Sequence, residues 1–541
     1  MDRHRKTIST LMEDVDKRRL SRREFIRTVT LLGIAAPTAY SLMGVVDPFV
    51  DDASAQTPKA GGLVRVGTRI HSIIDAHRND VAEASNVVRQ VCEYLTRTDV
   101  DNVTRPYLLR SWEASEDLKT WTLNLRNDVF WRKRRKFTAD DVIWNIERVM
   151  ETKTGSVMLG LMQSYLGGKD GGLWDANALE KVDDYTVRLN LKSPQLAVPE
   201  NFFNFPMAIV DPEENGAFAP GVNGTGPFNL VEYEPQSRAV YEPNKDYWGE
   251  GPYLDALQFI DLGNEPSSWI GALRSGQVDG LHSFDAKSHP AFEKLDDVKI
   301  YNVTTAETAV IQGRVDQKPF NDARVRKALR KAIDANAVLA VALGGRGTVA
   351  EHHHVSPIHP ECAKIEPFKP DLQEAKRLLE EAGYAEGFAA ELVVRQEPEW
   401  LMPAALNMVN QWAQIGVRIS IKPMAPSLHN DVWNKVPFGM MPWRHRPLGT
   451  MILSLAYRSG SSWNGSVFNS PRFDELLTQA EGTVETEKRA LIMAEIETLM
   501  QEEGPIVQPL WQESYTAYRS IVNGFALHPT GFIFAERFHL S

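Results

Sequence analysis

Cysteine is nearly absent from this chain of 541 residues: Cys92 and Cys362 are the only two, too few for a disulfide scaffold. Two thiols permit one bridge at most, and their sequence positions leave the pairing open. Cys92 sits in Val87-Val88-Arg89-Gln90-Val91-Cys92-Glu93-Tyr94-Leu95, whose apolar spacing predicts a helix with the thiol on its buried stripe. Positive charge is also short. Lys and Arg total 60 against 71 Asp and Glu, a formal net charge of −11, which argues against a whole-surface attraction to nucleic acid or anionic lipid. Beyond residue 60 no apolar run approaches the roughly twenty residues of a membrane-spanning helix. No repeat of about 20–50 residues suggests a solenoid or propeller. Nucleophile elbows, H-E-x-x-H, Walker loops and a G-x-G-x-x-G following a strand are all missing, so an exported hydrolase is only the lesser alternative. The length itself implies two or three lobes.

The N-terminal segment differs from the rest. Ser21-Arg22-Arg23-Glu24-Phe25-Ile26-Arg27 precedes a weakly apolar run, Val29 to Val46, interrupted by Gly33, Pro37 and Gly44. That run is a poor membrane span and a good export signal, and the paired arginines resemble those of a twin-arginine signal. Residues 1–55 are therefore expected to be signal and linker, with Ala53-Ser54-Ala55 as the small-residue cleavage site. The expected compartment is the periplasm, with a membrane tether if the signal is retained.

Downstream, strands and amphipathic helices alternate. Gly62–Gly67, Trp121–Arg126 and Tyr185–Leu191 read as strands, the last two from period-two alternation. Thr138 and Asp141 predict a capping box for a helix through Val142 and Ile146, and another helix begins near Trp269. Asn321-Asp322 starts a helix carrying Val325, Leu329 and Ile333. Asp371 with Glu374 caps one ending at Gly383, and Leu406, Val409 and Trp412 mark a third stripe before the strand Val417–Ile421. This alternation predicts α/β lobes. Gly224-Thr225-Gly226 lacks the Lys-Ser/Thr of a phosphate loop and reads as a tight turn presenting backbone.

Several blocks occur in an order that resembles one family. Ser111–Asp117, Trp121–Arg126, Phe137–Val142, Gly224–Phe228, Pro243–Trp248, Lys318–Leu329, Ala375–Tyr384 and Ser470–Leu477 are together similar to the family 5 extracellular solute-binding proteins, the oligopeptide, dipeptide and nickel-type receptors of ABC importers. The resemblance spans nearly all of residues 61–515. It implies an α/β, two-lobed periplasmic-binding-protein fold of the large, three-subdomain type, with a hinge and an interlobe ligand cleft. Lobe I would comprise 61–310 plus 510–541, with an inserted subdomain at roughly 105–225, and lobe II 311–509. It also implies a monomer that catalyses nothing, needs no cofactor, and passes a small-molecule ligand to a permease and ATPase complex at the inner membrane.

Departures from the family pattern suggest the ligand. In peptide-binding relatives an aspartate three residues after the tryptophan of this block pairs with the peptide ammonium; here Trp443-Arg444-His445-Arg446 places Arg446 there. Arg314 stands where relatives commonly carry asparagine. Two guanidinium groups would attract a carboxylate, phosphate or sulfonate. The expected ligand-binding set is Arg446, Trp443, His445, Arg314, Trp463, Asn464, Trp511 and, after the first strand, Arg69 and His71, for a peptide-like or small anionic organic solute. The alternative is a metal or metal-chelate receptor: in Glu351-His352-His353-His354, His352 and His354 would share one face of an extended segment and bind a metal given a third ligand.

Overall fold

The computed structural model describes Leu11, Met12, Val15 and residues 22–31, 58–79 and 81–541. It divides into two compact units: one runs up to Val303 and takes in Tyr515–Ser541, and the other is Thr304–Ser514. No helix among the described residues is long and apolar enough to cross a membrane.

In the first unit the arginine pair falls in helix α1, Arg22–Leu31. Phe25, Ile26 and Val29 pack with Val103 in a small apolar cluster, and Arg27 pairs with Glu24 at 2.6 Å. Ala53–Ala55 lies outside the described residues. Strand β1, Leu63–Thr68, buries Val64 and Val66. Helix α2, Ala82–Arg89, is shorter than its apolar spacing predicts. Cys92 is buried just beyond its end, and Cys92 and Cys362 are both free thiols.

Strands β2, Leu109–Ala114, and β3, Thr120–Leu125, begin a small sheet, and α3, Ala139–Met150, carries the predicted capping box with both Thr138 and Asp141 engaged. Strands β4, Leu179–Asp183, and β5, Thr186–Asn190, complete that antiparallel sheet in the order β2-β3-β5-β4. Trp121 opposes Leu189 and Leu123 opposes Val187 in register. Their side chains are all buried, as strict alternation requires.

Strands β6, Phe228–Glu234, β7, Arg238–Pro243, and β8, Ala256–Asp261, form an antiparallel meander whose last strand runs parallel to β1. Helix α4, Pro266–Ser275, starts one turn before Trp269. The turn Gly224-Thr225-Gly226 is pressed onto the chain after α2: Gly226 N donates to Val91 O at 2.8 Å. A Cβ on Gly224 would lie 2.0 Å from that same carbonyl oxygen, so only glycine fits.

The boundary into the second unit falls within the long strand β9, Val298–Gly313. Helix α5, Ala323–Lys331, is capped by Asp322, whose side chain accepts from Arg324 N at 2.9 Å. Helix α6, Leu372–Glu381, is capped by Asp371 alone. Glu374 pairs with Arg377 at 2.8 Å instead of reaching back to the cap, and Gly383 adopts φ +86° past the helix end.

Strand β10, Ala389–Arg395, lies parallel to β11, Arg418–Met424, with helix α7, Leu401–Ala413, between them in sequence. The stripe on α7 is rotated from the predicted one. Ala404, Ala405, Met408 and Trp412 are buried and Leu406 is half exposed, because the face is set by small residues that let the helix approach the sheet. Strand β12, Phe438–Trp443, is parallel to β10 and antiparallel to β9.

Helices α8, Gly449–Tyr457, α9, Pro471–Glu481, and α10, Thr486–Glu503, follow. The end of α10 is held by two arginines of α5. Arg330, wholly buried, donates to the carbonyls of Gln501, Glu502, Gly504 and Ile506, and Arg326 to those of Gly504 and Phe320. The Gln501 and Glu502 carbonyls lie in the last turn of α10, where carbonyls lack a partner within the helix, and a planar guanidinium meets several acceptors at once. Strand β13, Leu510–Arg519, contains the return boundary at Ser514 and Tyr515.

Candidate ligand site

The second unit gathers most of the predicted site residues at the end of β12. Thr308 of β9 is the register partner of Trp443. The Trp443 ring lies 6.1 Å from Trp433 and 5.8 Å from Trp463, and those two are 5.7 Å apart, so three indoles meet pairwise in edge or tilted contact. Trp443 is buried, whereas Trp433 and Trp463 are half-buried. Beyond Trp443 the cluster continues through His354, 5.7 Å away, to Trp511 at 5.9 Å and Tyr457 at 5.6 Å. Trp511 is buried with Ala306 and Ala350, behind the half-buried indoles.

The three residues after Trp443 differ sharply. Arg444 is exposed, and its Nη1 lies 3.5 Å from Glu307 Oε1 on β9. His445 is buried, and its Nδ1 accepts from Ala306 N at 3.1 Å, which makes the ring a tie to β9. Arg446 is only 6% exposed. Its Nη1 donates to His445 O at 3.0 Å, and its carbonyl receives His359 Nε2 at 3.0 Å. Burial pushes the Arg446 guanidinium down to about 10; Glu307 opposes that shift and Arg444 adds to it. The group is therefore cationic at neutral pH, in surroundings where charge is costly to leave uncompensated.

The other predicted residues take different places. Arg314 pairs with Asp316, Nη2 to Oδ2 at 2.7 Å, and donates to Asn434 O at 3.2 Å, so its charge is met locally. Asn464 pins its own loop: Nδ2 donates to Phe468 O at 2.7 Å, and Oδ1 accepts from Phe468 N at 3.0 Å and Ser466 Oγ at 2.8 Å. That loop sets the Trp463 ring. Arg69 and His71 belong to the first unit, where Arg69 pairs with Asp261 at 3.2 Å and the His71 carbonyl accepts from the Tyr233 hydroxyl.

The histidine loop is not the extended segment expected. His352 and His354 have φ of +62° and +61°, so the alternation that would place both on one face is lost. One ring nitrogen of each is engaged in packing: His352 Nδ1 accepts from Gln508 N at 2.9 Å, and His354 Nδ1 meets Tyr457 Oη at 2.5 Å. Among the described residues no three His, Cys, Asp or Glu side chains converge as a metal site. As folded, the loop does not present the extended pair that the metal alternative assumed. Behind this loop lies a buried acid pair. Glu497 Oε1 accepts from Ala363 N at 3.0 Å, and Glu361 Oε1 from Thr450 N at 3.2 Å. Burial, reinforced by Glu361, pushes the Glu497 carboxyl up to about 8, and burial drives His353 down to about 3.

Sequence reasoning missed Trp433 and Glu307. Trp433 follows the short helix Pro426–Val432 and reaches the site only through tertiary packing. Glu307 was in principle accessible: pairing the strand before Gly313 with Phe438–Trp443 puts it beside the partner of Trp443.

Residues 104–464 match the family described as bacterial extracellular solute-binding proteins, family 5 (middle). The chain belongs to this family. It is 24% identical to the dipeptide-binding protein of Escherichia coli K12, across 79% of this chain and 84% of that one. Solved structures share the fold. The periplasmic binding protein DppA of Helicobacter pylori, in complex with the peptide STSA, superposes with a TM-score of 0.76 at 21% identity, over 89% of this chain and 98% of its own. AgaA of A. tumefaciens R10, in complex with agropinic acid, gives 0.78 at 22% identity, over 89% and 99%. The fold is accordingly the α/β, two-lobed fold of periplasmic binding proteins.

Proposed function

We propose that this protein is the substrate-binding component of an ABC importer and captures a peptide-like or small anionic organic solute, with Arg446 as the anion anchor and Trp433, Trp443 and Trp463 as walls. The observation that carries this reading is a guanidinium only 6% exposed, three residues beyond a tryptophan that packs against two half-buried indoles. A carboxylate on such a group forms paired, charge-assisted hydrogen bonds, and flat rings supply apolar contact with little loss of side-chain freedom. Family membership supports the importer role, and relatives named for dipeptides and a structure holding agropinic acid support the ligand class. Arg314 and Asn464, engaged with their own neighbours, act as supports of the site.

In this reading the chain performs no chemistry, works as a monomer in the periplasm after twin-arginine export, and hands its ligand to a membrane permease and its ATPase. The test is a thermal-shift screen of dipeptides, opines, simple carboxylates and metal chelates on the wild type and Arg446→Gln. A true ligand raises the melting temperature in proportion to RT ln(1 + [L]/Kd). Shifts by carboxylate-bearing compounds that vanish in Arg446→Gln are expected; shifts that survive the substitution would overturn the anchor assignment.

A further inference from the structure

The helix that carries the arginine pair lies on the folded body of the first unit. Within α1 the apolar residues Phe25, Ile26 and Val29 fall at i, i+1 and i+4, one face of a helix. That face is buried against Val103, and Leu11, Met12 and Val15, which repeat the same spacing, pack on the same cluster. Val103 stands in the turn of a hairpin, Thr96–Thr98 paired with Thr104–Pro106. The turn is held by its own bonds: Asn102 N donates to Asp99 O at 2.8 Å, Asp99 N to Val103 O at 3.1 Å, and Arg105 pairs with Asp101 at 2.7 Å and with Asp99 at 3.2 Å. Asn102 has φ +60°, and its carbonyl accepts from Arg27 Nη2. Arg27 Nη1 donates to Glu24 Oε1 at 2.6 Å, and the residue is only 8% exposed. Thr30 Oγ1 donates to Ile26 O at 2.6 Å, so that buried hydroxyl is met within the helix.

We infer that the turn Asp99–Val103 is a docking surface for the chain's own N-terminal helix, and that docking withholds the export signal from the receptor that reads it. This rests on the twin-arginine export proposed above and goes beyond it. A helix of ten residues is marginal in water by itself, and this seat supplies the apolar contact it needs. The bond from Arg27 to the Asn102 carbonyl fixes where on the surface the helix sits. The tether, residues 32–57, makes docking intramolecular, so a contact that would be weak between separate molecules holds here. An export signal is an address read by contact with another protein. With Phe25 wholly buried and Arg27 engaged, the docked helix cannot offer those side chains to a second protein at the same time. The seat exists only when the hairpin around Val103 has formed, so docking belongs to the folded chain, and export of that chain begins with release of α1.

The experiment is limited trypsin digestion of the full chain, with mass spectrometry timing cleavage after Arg27 in the wild type, in Phe25→Ser, in Val103→Ser and in a synthetic peptide of residues 20–36. Phe25→Ser alters only the helix and Val103→Ser only its seat, and circular dichroism checks that the body of each variant melts as the wild type does. Cleavage after Arg27 in the wild type should be at least about ten-fold slower than in the peptide, and each substitution should restore at least about five-fold of that rate while cleavage elsewhere in the chain is unchanged. Wild-type cleavage as fast as that of the peptide, or protection that survives both substitutions, would overturn the docking surface. Pulse-chase export of the full chain then reads the consequence: Val103→Ser, whose signal is intact, should leave the cytoplasm at least about two-fold faster than the wild type. Equal export rates would overturn the withholding role. Export that persists when Arg22→Lys and Arg23→Lys are combined would overturn the twin-arginine reading instead, and the digestion result would stand apart from it.

Discussion

Acidification and alkalinisation should destabilise this protein for opposite reasons, and a single substitution separates them. Glu497 is held up to about 8 and Glu93 to about 7, both chiefly by burial. A carboxyl raised in the folded state binds a proton that the unfolded chain, near its ordinary 4.5, has already released. Its contribution is therefore present at low pH and is lost as pH rises through the folded value. The buried histidines work the other way. His77, held near 4, and His353 and His528, near 3, are kept neutral when the unfolded chain, near 6.5, would accept a proton. Stability is lost as pH falls below that value. The two groups of residues place the maximum near neutral pH. Between pH 6.5 and 8 the acids lose about 2 kcal/mol by the linkage relation, most of it from Glu497, while each histidine, still partly protonated in the unfolded chain, returns a few tenths of a kcal/mol. Glu497→Gln keeps an acceptor for Ala363 N and removes the ionisation, so over the same interval it should lose at least about 1 kcal/mol less stability than the wild type. Urea unfolding at pH 6.5, 7.2 and 8.0, followed by circular dichroism, measures it. A Glu497→Gln slope equal to that of the wild type would refute the reasoning.

Other perturbations have equally definite outcomes. Arg330→Met should cost about 3 kcal/mol or more in urea denaturation, because four carbonyls lose a buried donor. Arg330→Lys should recover only part of that loss, since an ammonium lacks the planar fork. Gly224→Ala should destabilise by more than about 2 kcal/mol, because its Cβ would meet the Val91 carbonyl; a smaller cost would show that the turn can move away. Thiol titration in denaturant without reductant should count two free cysteines per chain, and a count of zero would show a bridge.

Much of the scaffold was legible because its signals are local. Alternation in Trp121–Arg126 and Tyr185–Leu191 became paired strands, and the Thr138 and Asp141 pair became a capping box, since each depends on residues a few positions apart. Where readings drifted, a distant partner decided. Leu406 has helical spacing with Trp412 yet faces outward, because the sheet takes the alanine side of α7. The histidines of 352–354 have the composition of a metal loop, but their backbone turns left-handed and their rings are claimed by Gln508 and Tyr457, more than a hundred residues onward. The indole cluster was half visible. Trp443 and Trp463 were marked by their blocks, whereas Trp433 joins them through packing that no local pattern encodes.

The grip of α5 on the end of α10 bears on how the chain is made. Arg330 leaves the ribosome about 170 residues before the carbonyls that it binds, and the first unit awaits Tyr515–Ser541. A growing chain that stops short of residue 506 holds an uncompensated guanidinium where the core should close. The first unit cannot finish folding in the order it is synthesised, and the second waits for the residues at its own end. The nascent protein must stay open until residues 501–506 and then Tyr515–Ser541 emerge, and a truncation before residue 501 would leave both units incomplete at once.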